Sequence, residues 1–131
     1  MLPNARTIKD KQSREDVVAY IKSLPPVDVQ GRIKGDVEKG RQHYQMICGA
    51  CHGPDAMGNK ILNAPRLKGI NDWYLKRQYT NFKKGVRGAH ADDKFGAQMA
   101  FIARNLKGTT IAEDVAVYIQ SLLEPATNEN K

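Results

Sequence analysis

The sequence predicts an all-α protein whose helices are joined by long loops. Apolar residues recur at three- and four-residue spacing in several separate segments, as they do along one face of an amphipathic helix. The sequence has neither the apolar–polar alternation of a half-buried strand nor the Asn-Gly and Asp-Gly pairs that favour tight hairpins. About 40% of the 131 residues are apolar, which is enough for one modest core and leaves room for a further stabilising component.

Residues 1–34 are predicted to be an N-terminal extension made of a helix, residues 13–24, and a linker that begins at Pro25-Pro26. The segment EDVVAYIKSL (15–24) matches EDVAVYIQSL (113–122) at seven of ten positions, and each copy follows a Ser or Thr that we predict as its cap. We interpret the repeat as a duplication in which the first copy ends a preceding domain that is absent from this chain. In the alternative, this helix covers the surface of the chain's own domain.

The domain itself is predicted to span residues 35–124 and to begin with a helix, DVEKGRQHYQMIC, that Asp36 caps. The residues that recur on one face of this helix are Val37, Gly40, Tyr44 and Ile47. A glycine inside a helix lowers stability by about 1 kcal/mol relative to alanine. We therefore expect another element to approach the helix closely at Gly40.

Three further helices are predicted, beginning near Asn71 or Asp72, near Gly96 and at Thr110. The first of the three ends before Gly85. The last opens with Thr110 and Glu113, which have the spacing of a capping box, and stops before Pro125. Residues 125–131 are predicted to be a disordered tail.

The motif that carries most chemical information is MICGACHGPD, residues 46–55, where Cys48, Cys51 and His52 follow the CxxCH pattern. A thioredoxin-like thiol pair is expected near a βαβ pattern, which this sequence lacks. A structural zinc ion needs a fourth ligand, and adjacent Cys51 and His52 fit poorly on one tetrahedral ion. Haem attachment fits all three residues, because each thiol adds to one vinyl group and the histidine can turn toward the iron.

The second axial ligand must come from the remaining methionines and histidines, which are Met1, His43, Met46, Met57, His90 and Met99. His43 and Met46 lie on the segment that presents the thiols, and Met57 is only five residues past His52. Met99 follows a glycine-rich loop that can carry it to the opposite face, so we favour Met99, with His90 next. Met57 and an open sixth position stay as alternatives, and Met99 could instead simply fill a gap in the core.

With these features in place, residues 36–123 resemble a class I cytochrome c. The segments that carry the resemblance are the helix before CGACHG, then APRL (64–67), YLKRQYTNFKKGVRG (74–88), AQMAFIARNL (97–106) and the closing helix with Tyr118. The middle segments are most similar to periplasmic bacterial cytochromes with two haem domains in tandem. The resemblance implies helices and long loops wrapped around one covalently bound haem c.

The resemblance also implies roles for single residues of the haem site. It implies thioether bonds from Cys48 and Cys51, with His52 as the proximal ligand and Met99 as the distal one. The Pro65 carbonyl would accept a hydrogen bond from His52 and so fix its tautomer. Arg66 would bind a haem propionate, against the alternative of a solvated surface charge.

Two further sets of contacts follow from the resemblance. Gly40 and Tyr44 on the first helix would meet Tyr118 on the last helix. The residues that would line the haem pocket are Trp73, Tyr74 and Gln78, although Trp73 could equally be a plain core residue.

The resemblance implies a single-electron carrier of a bacterial respiratory chain, and not an enzyme. Two strong axial ligands leave no coordination position open for a substrate. The alternative from another class is a haem enzyme or gas-binding sensor with an accessible sixth position. A zinc-binding or thiol redox module is a third class.

The net charge of +7 indicates an acidic partner. The basic residues of the middle stretch are Lys76, Arg77, Lys83, Lys84, Arg87 and Lys94, against which stand only Asp92 and Asp93. We expect redox partner proteins with acidic faces: a donor such as a quinol-oxidising complex, and an acceptor such as a terminal oxidase or reductase. Nucleic acid is not expected, because the sequence lacks its recognition motifs.

The expected compartment is the periplasm, because the resemblance implies that haem is attached outside the cytoplasm. No apolar run approaches the roughly 20 residues that span a bilayer, and the polar N-terminus does not read as a secretory signal. A signal peptide or membrane anchor is therefore expected to lie outside this chain.

Overall fold

The computed structural model describes residues 7–25 and 31–123, and this part of the chain is helical. Its α-helices are α1 (Lys11–Ser23), α2 (Val37–His43), α3 (Gly49–His52), α4 (Asp72–Lys83), α5 (Lys94–Asn105) and α6 (Ile111–Ser121). A π-helical segment, Tyr44–Cys48, joins α2 to α3. Within the described ranges there is no strand, only an isolated bridge between Asn59 and Ala64, so the all-α prediction is confirmed. The predicted tail lies outside the described residues.

The core forms where α2 crosses α6, at the glycine that the sequence marked as a close approach. A Cβ atom on Gly40 would overlap the backbone carbonyl of Asp114 and lie 2.9 Å from Tyr118 Cβ. One turn further along, the rings of Tyr44 and Tyr118 lie with centroids 5.4 Å apart and planes inclined at 51°. The predicted contact of Gly40 and Tyr44 with Tyr118 is confirmed, and only glycine allows the two backbones to come this close.

Helix α6 packs against α4 as well as α2, and α4 packs against α5. The predicted capping box at the start of α6 is wrong. Glu113 instead binds Lys76 of α4, with Oε1 and Nζ 2.8 Å apart, while the Thr110 hydroxyl donates to Asp114 Oδ2 at 2.8 Å. The hydrogen bond from Lys76 lowers the pKa of Glu113. Glu113 therefore links α6 to α4 instead of capping the first turn of α6.

Three other helices, α1, α2 and α5, start after an aspartate whose side chain caps the first turn. Asp36 accepts hydrogen bonds from the first turn of α2, as predicted. Helix α5 begins at Lys94, two residues before the predicted start near Gly96, and its cap Asp93 accepts from the Gly96 amide at 2.8 Å. Helix α1 begins at Lys11 and not at residue 13, because Asp10, and no Ser or Thr, is its cap.

The chain enters the domain through a segment that two buried carboxylates hold. Asp72 accepts hydrogen bonds from the amides of Arg32 at 2.7 Å and Ile33 at 2.9 Å. Asp114 accepts from the amide of Asp36 at 2.8 Å. Because backbone N–H groups compensate these buried charges, the carboxylates can sit in the core. They fasten the end of the predicted linker to α4 and the start of the predicted domain to α6.

Helix α1 is amphipathic but buries none of its residues. Tyr20 and Ile21 are 66% and 60% exposed, whereas their counterparts in the repeat, Tyr118 and Ile119, are buried in the core. This exposure disfavours the alternative in which α1 covers its own domain, and its origin as the end of a preceding domain stays a prediction. No helix in residues 7–25 and 31–123 combines the length and apolar character needed to cross a bilayer.

Replacing Gly40 with alanine should separate α2 from α6. We expect the free energy of unfolding of the protein to fall by about 1–3 kcal/mol, because the new methyl group overlaps the α6 backbone. The measurement is guanidinium unfolding followed by circular dichroism. Gly31→Ala is the matched control, since its Cβ would meet its nearest neighbour at 3.5 Å, an ordinary contact. Equal stability of Gly40→Ala and Gly31→Ala would contradict the crossing described above.

Candidate cofactor site

The CxxCH motif begins inside the π-helical segment and ends in α3. Cys48 is the last residue of the π-helical segment, and Cys51 and His52 lie in α3. Such single π-helical turns are frequent at functional sites. The buried Tyr44 spans the whole motif, because its hydroxyl donates to the carbonyl of Gly53 at 2.7 Å. The sequence placed Tyr44 on the core face of the helix but gave no sign of this hydrogen bond.

The two cysteines are unpaired, and they lie in different surroundings. Cys48 packs against the core, and burial raises its pKa to about 11, whereas Cys51 is exposed. Redox-active thiols have lowered pKa values, so a protonated Cys48 argues against a thiol redox pair. In the part of the chain that the structure describes, no three side chains converge as zinc ligands would.

His52 is oriented by a backbone carbonyl. Its Nδ1 atom lies 2.9 Å from the carbonyl oxygen of Pro65. A carbonyl oxygen can only accept, so Nδ1 donates its N–H, and in the neutral imidazole Nε2 is then the nitrogen with the lone pair. A neutral imidazole with Nδ1–H bound to a carbonyl is the form in which histidine ligates a metal. The donor set of this motif therefore fits a haem iron.

The loop from Gly53 to Leu67 folds back and brings Pro65 to His52. Gly58 donates its amide to the carbonyl of His52 at 2.8 Å, and Leu67 donates to the carbonyl of Ala56 at 2.8 Å. Gly58 has φ +83°, and a Cβ atom there would lie 2.6 Å from the backbone nitrogen of Arg66 and 2.8 Å from the carbonyl carbon of Pro65. Gly58 was not among the site residues predicted from the sequence, although a glycine between the motif and APRL is a visible signal.

The remaining predicted site residues come from other segments. Arg66 is exposed, and its Nε donates to the carbonyl of Lys68 at 2.8 Å, which leaves the terminal guanidinium nitrogens as further donors. Met99 lies in α5 and is partly buried. Phe95 and Ile102, four residues before and three after it, share its side of the helix and are 52% and 38% exposed.

The alternative axial ligands differ from Met99 in their surroundings. His90 is exposed, and its Nδ1 accepts from the amide of Asp92 at 3.2 Å. Met57 is 46% exposed in the loop that directly follows the motif. Of Met99, His90 and Met57, only Met99 lies in a helix and is partly buried.

The residues predicted to line the pocket have other described contacts. The Arg77 guanidinium lies 5.2 Å from the centre of the Trp73 ring, and Tyr74 packs edge-on against Trp73. Gln78 accepts from Arg87 at 2.9 Å. Their role at the cofactor stays a prediction.

The family model described as Cytochrome c matches residues 37–123. The chain is similar to cytochrome c4 of Azotobacter vinelandii, 32% identical over 119 residues, which cover 85% of this chain and 54% of the relative. It is also similar to the cbb3-type cytochrome c oxidase subunit FixP of Sinorhizobium medicae, 29% identical over 111 residues, which cover 85% of this chain and 35% of the relative. The chain thus spans about a third to a half of these two relatives.

Among solved structures, the chain is similar to cytochrome c4 of Acidithiobacillus ferrooxidans, with a TM-score of 0.67 and 25% identity. The similarity covers 92% of this chain and 69% of that one. The structure of the Acidithiobacillus protein supports a complex-induced tuning of electron transfer in that cytochrome.

Replacing Gly58 with alanine should displace Pro65 from His52. We expect the Nδ1 proton of His52 to exchange with solvent at least about tenfold faster, because the loop must open to admit the methyl group. The measurement is hydrogen exchange by ¹⁵N NMR on the reduced, haem-loaded protein. Gly69→Ala is the matched control: Gly69 has φ +84°, but its Cβ would meet only Arg66 Nη2, at 3.5 Å. Equal exchange rates in both variants would show that Gly58 does not position the carbonyl.

Proposed function

The chain belongs to the cytochrome c family and binds one covalently attached haem c, and on that premise we propose that it is a single-electron carrier of a bacterial respiratory chain. The observation that carries the proposal is the contact between His52 Nδ1 and the Pro65 carbonyl, 2.9 Å apart. This hydrogen bond leaves Nε2 of His52 available as a metal ligand. His52 directly follows the second of two cysteines that have the spacing of haem attachment.

Cys48 and Cys51 hold the cofactor, and His52 is the proximal ligand. The carbonyl of Pro65 keeps Nδ1 protonated and raises the basicity of Nε2. Tyr44, through its hydrogen bond to Gly53, fixes the turn of chain between the first cysteine and the end of the motif. When bound, the haem supplies an iron that accepts and releases one electron.

Met99 is the distal ligand in this proposal. Its position on α5, in a helix that packs against α4, gives the thioether a firm support. A thioether and a neutral imidazole are both uncharged donors, so the pair would favour the reduced metal and raise the reduction potential. With His52 and Met99 both as ligands, the iron would keep no coordination position for a substrate, as suits a carrier.

Arg66 binds a propionate of the cofactor in this proposal. The side chain directly follows Pro65 and is oriented by its hydrogen bond to the Lys68 carbonyl. Its terminal nitrogens can form the two parallel hydrogen bonds that a carboxylate accepts from a guanidinium.

The partners we propose are proteins with acidic faces in the periplasm, a donor such as a quinol-oxidising complex and an acceptor such as a terminal oxidase or reductase. The basic residues of the middle stretch are not equivalent. Lys76 is bound to Glu113, and Arg77 and Arg87 lie over the rings of Trp73 and Phe82. Lys83, Lys84 and Lys94 are exposed, and these three lysines are the charges we assign to steering.

Met99→Ala should open the sixth position. We expect the wild-type protein, oxidised and reduced, to give a low-spin c-type absorption spectrum with a ferric sulfur-to-iron band, unchanged by carbon monoxide. The variant should lose that band and bind carbon monoxide, because its methyl group cannot replace the thioether. Met57→Ala is the control, since it also removes a methionine and should leave the spectrum unchanged.

Either of two outcomes would contradict this assignment. A wild-type spectrum that shifts readily with carbon monoxide would favour the haem enzyme or gas-sensor class. A normal band in Met99→Ala, lost in Met57→Ala or in a His90 variant, would move the distal ligand to that residue.

Electron transfer to a partner should slow as salt screens the steering charges. With a purified cbb3-type oxidase as acceptor, we expect oxygen uptake at low protein concentration to fall at least about tenfold between about 20 and about 200 mM salt. The double variant Lys83→Glu/Lys84→Glu should reproduce most of this loss at low salt. Lys9→Glu/Lys22→Glu changes the net charge equally, in the N-terminal region, and should lose little. A rate that is independent of salt would rule out steering.

A further inference from the structure

A partly buried hydrogen bond joins α4 to α5 close to Met99. The hydroxyl of Tyr79, on α4, donates to the backbone carbonyl of Ala103, on α5, at 3.3 Å. Burial first, and then the nearby Cys48, raises the pKa of Tyr79, so the hydroxyl keeps its proton at neutral pH and remains a donor. The contact is therefore a lasting polar link between the two helices.

The carbonyl of Ala103 needs a donor from outside its own helix. Helix α5 ends at Asn105, and the last four carbonyls of a helix have no partner within it. The amide of Leu106 donates to the first of these four, Ile102, at 3.1 Å. Ala103 comes next and is fully buried, so water cannot satisfy its carbonyl. Tyr79 supplies the donor, and removing it would leave a buried acceptor unpaired.

The apolar contacts of α5 do little to fix its register along α4. The buried residues of α5 are Ala100 and Ala103, whose side chains are single methyl groups. Contacts between methyl groups bury little apolar area, so they oppose sliding or rotation of the helix only weakly. A hydrogen bond has one donor, one acceptor and a narrow range of lengths, so it selects a single register.

The link to Tyr79 lies one helical turn from the proposed distal ligand. Ala103 is four residues after Met99 in α5, so the helical hydrogen bond of that turn runs from the Ala103 amide to the Met99 carbonyl. A shift of α5 at Ala103 is therefore passed directly to the backbone of Met99.

We propose that Tyr79 is a positioning residue for the distal ligand: its hydroxyl holds α5 on α4 at Ala103 and thereby holds the Met99 thioether in place. This inference rests on the proposed function, because it takes Met99 to be that ligand. It adds to the proposed function a residue that acts through the helix and not on the cofactor.

The test measures how easily an added ligand displaces Met99 in the ferric, haem-loaded protein. Imidazole is titrated in, and its binding is followed by loss of the sulfur-to-iron band. Because imidazole competes with the thioether, a less firmly held Met99 gives a tighter apparent affinity. We expect Tyr79→Phe, which removes only the hydroxyl, to bind imidazole about three- to tenfold more tightly than wild type.

Two controls separate this role from a general loss of stability. Lys76→Met removes the contact of α4 with Glu113 of α6 and leaves the link to α5 in place. This variant should bind imidazole as wild type does, even where it unfolds at a lower guanidinium concentration. In a Met99→Ala background there is no thioether to displace, so adding Tyr79→Phe should not change the affinity further. Binding is followed there by the main haem absorption band.

Three results would overturn the positioning role. The first is an unchanged imidazole affinity in Tyr79→Phe. The second is an equal gain in Lys76→Met, which would mean a general loosening of α4. The third is a gain that persists in the Met99→Ala background, which would place Tyr79 on the path of the added ligand. All three leave the electron-carrier proposal intact. A wild-type protein without the sulfur-to-iron band would instead refute Met99 as the distal ligand, and this inference with it.

Discussion

The hydrogen bond between His52 and the Pro65 carbonyl is the constraint on which the site depends. A histidine next to two cysteines has two ring nitrogens and several rotamers, and only one arrangement leaves a lone pair at Nε2 in a fixed direction. The carbonyl selects that arrangement, because Nδ1 must donate to it across 2.9 Å. Everything that places this carbonyl therefore belongs to the site, although most of these residues have no chemistry of their own.

Two groups of residues place the carbonyl and the histidine. Gly58 lets the loop pass so close to Pro65 that a side chain would not fit, and the buried Ala56 accepts the amide of Leu67 from the far end of the loop. Behind the motif, the crossing of α2 and α6 at Gly40 sets the position of Tyr44, whose hydroxyl holds Gly53. The glycine contacts thus determine where the ligand-bearing segments lie, and the polar contacts determine how the groups on them are turned.

Most of what depends on local pattern was predicted correctly from the sequence. Helical spacing predicted α2, α4, α5 and α6, the cap at Asp36 was correct, and Gly40 correctly indicated a close approach. The capping box at Thr110 failed because Glu113 has a partner 37 residues away, Lys76, that no local pattern reveals. Gly58 was missed for the same reason, since the atoms that require a glycine there belong to Ala64, Pro65 and Arg66.

The burial of two carboxylates was also not predicted from the sequence. In sequence, Asp72 and Asp114 look like ordinary acidic residues near helix starts, and solvent exposure would be the natural expectation. In the structure each is buried and accepts backbone amides from the segment that enters the domain. Because these amides come within hydrogen-bonding distance of the carboxylates only in the folded chain, the contacts cannot be predicted from residue types. The segment from Arg32 to Asp36 is thus held by hydrogen bonds to α4 and α6.

The loop from Gly53 to Leu67 has an inner side that orients His52 and an outer end that is exposed to solvent. Its inner side must not move, because the carbonyl of Pro65 sets the tautomer of His52. Its outer end carries Ile61, an apolar side chain that solvent surrounds almost completely. The bridge between Asn59 and Ala64 lies between the outer end and Pro65. Its two hydrogen bonds limit how far a displacement of the outer end moves Pro65.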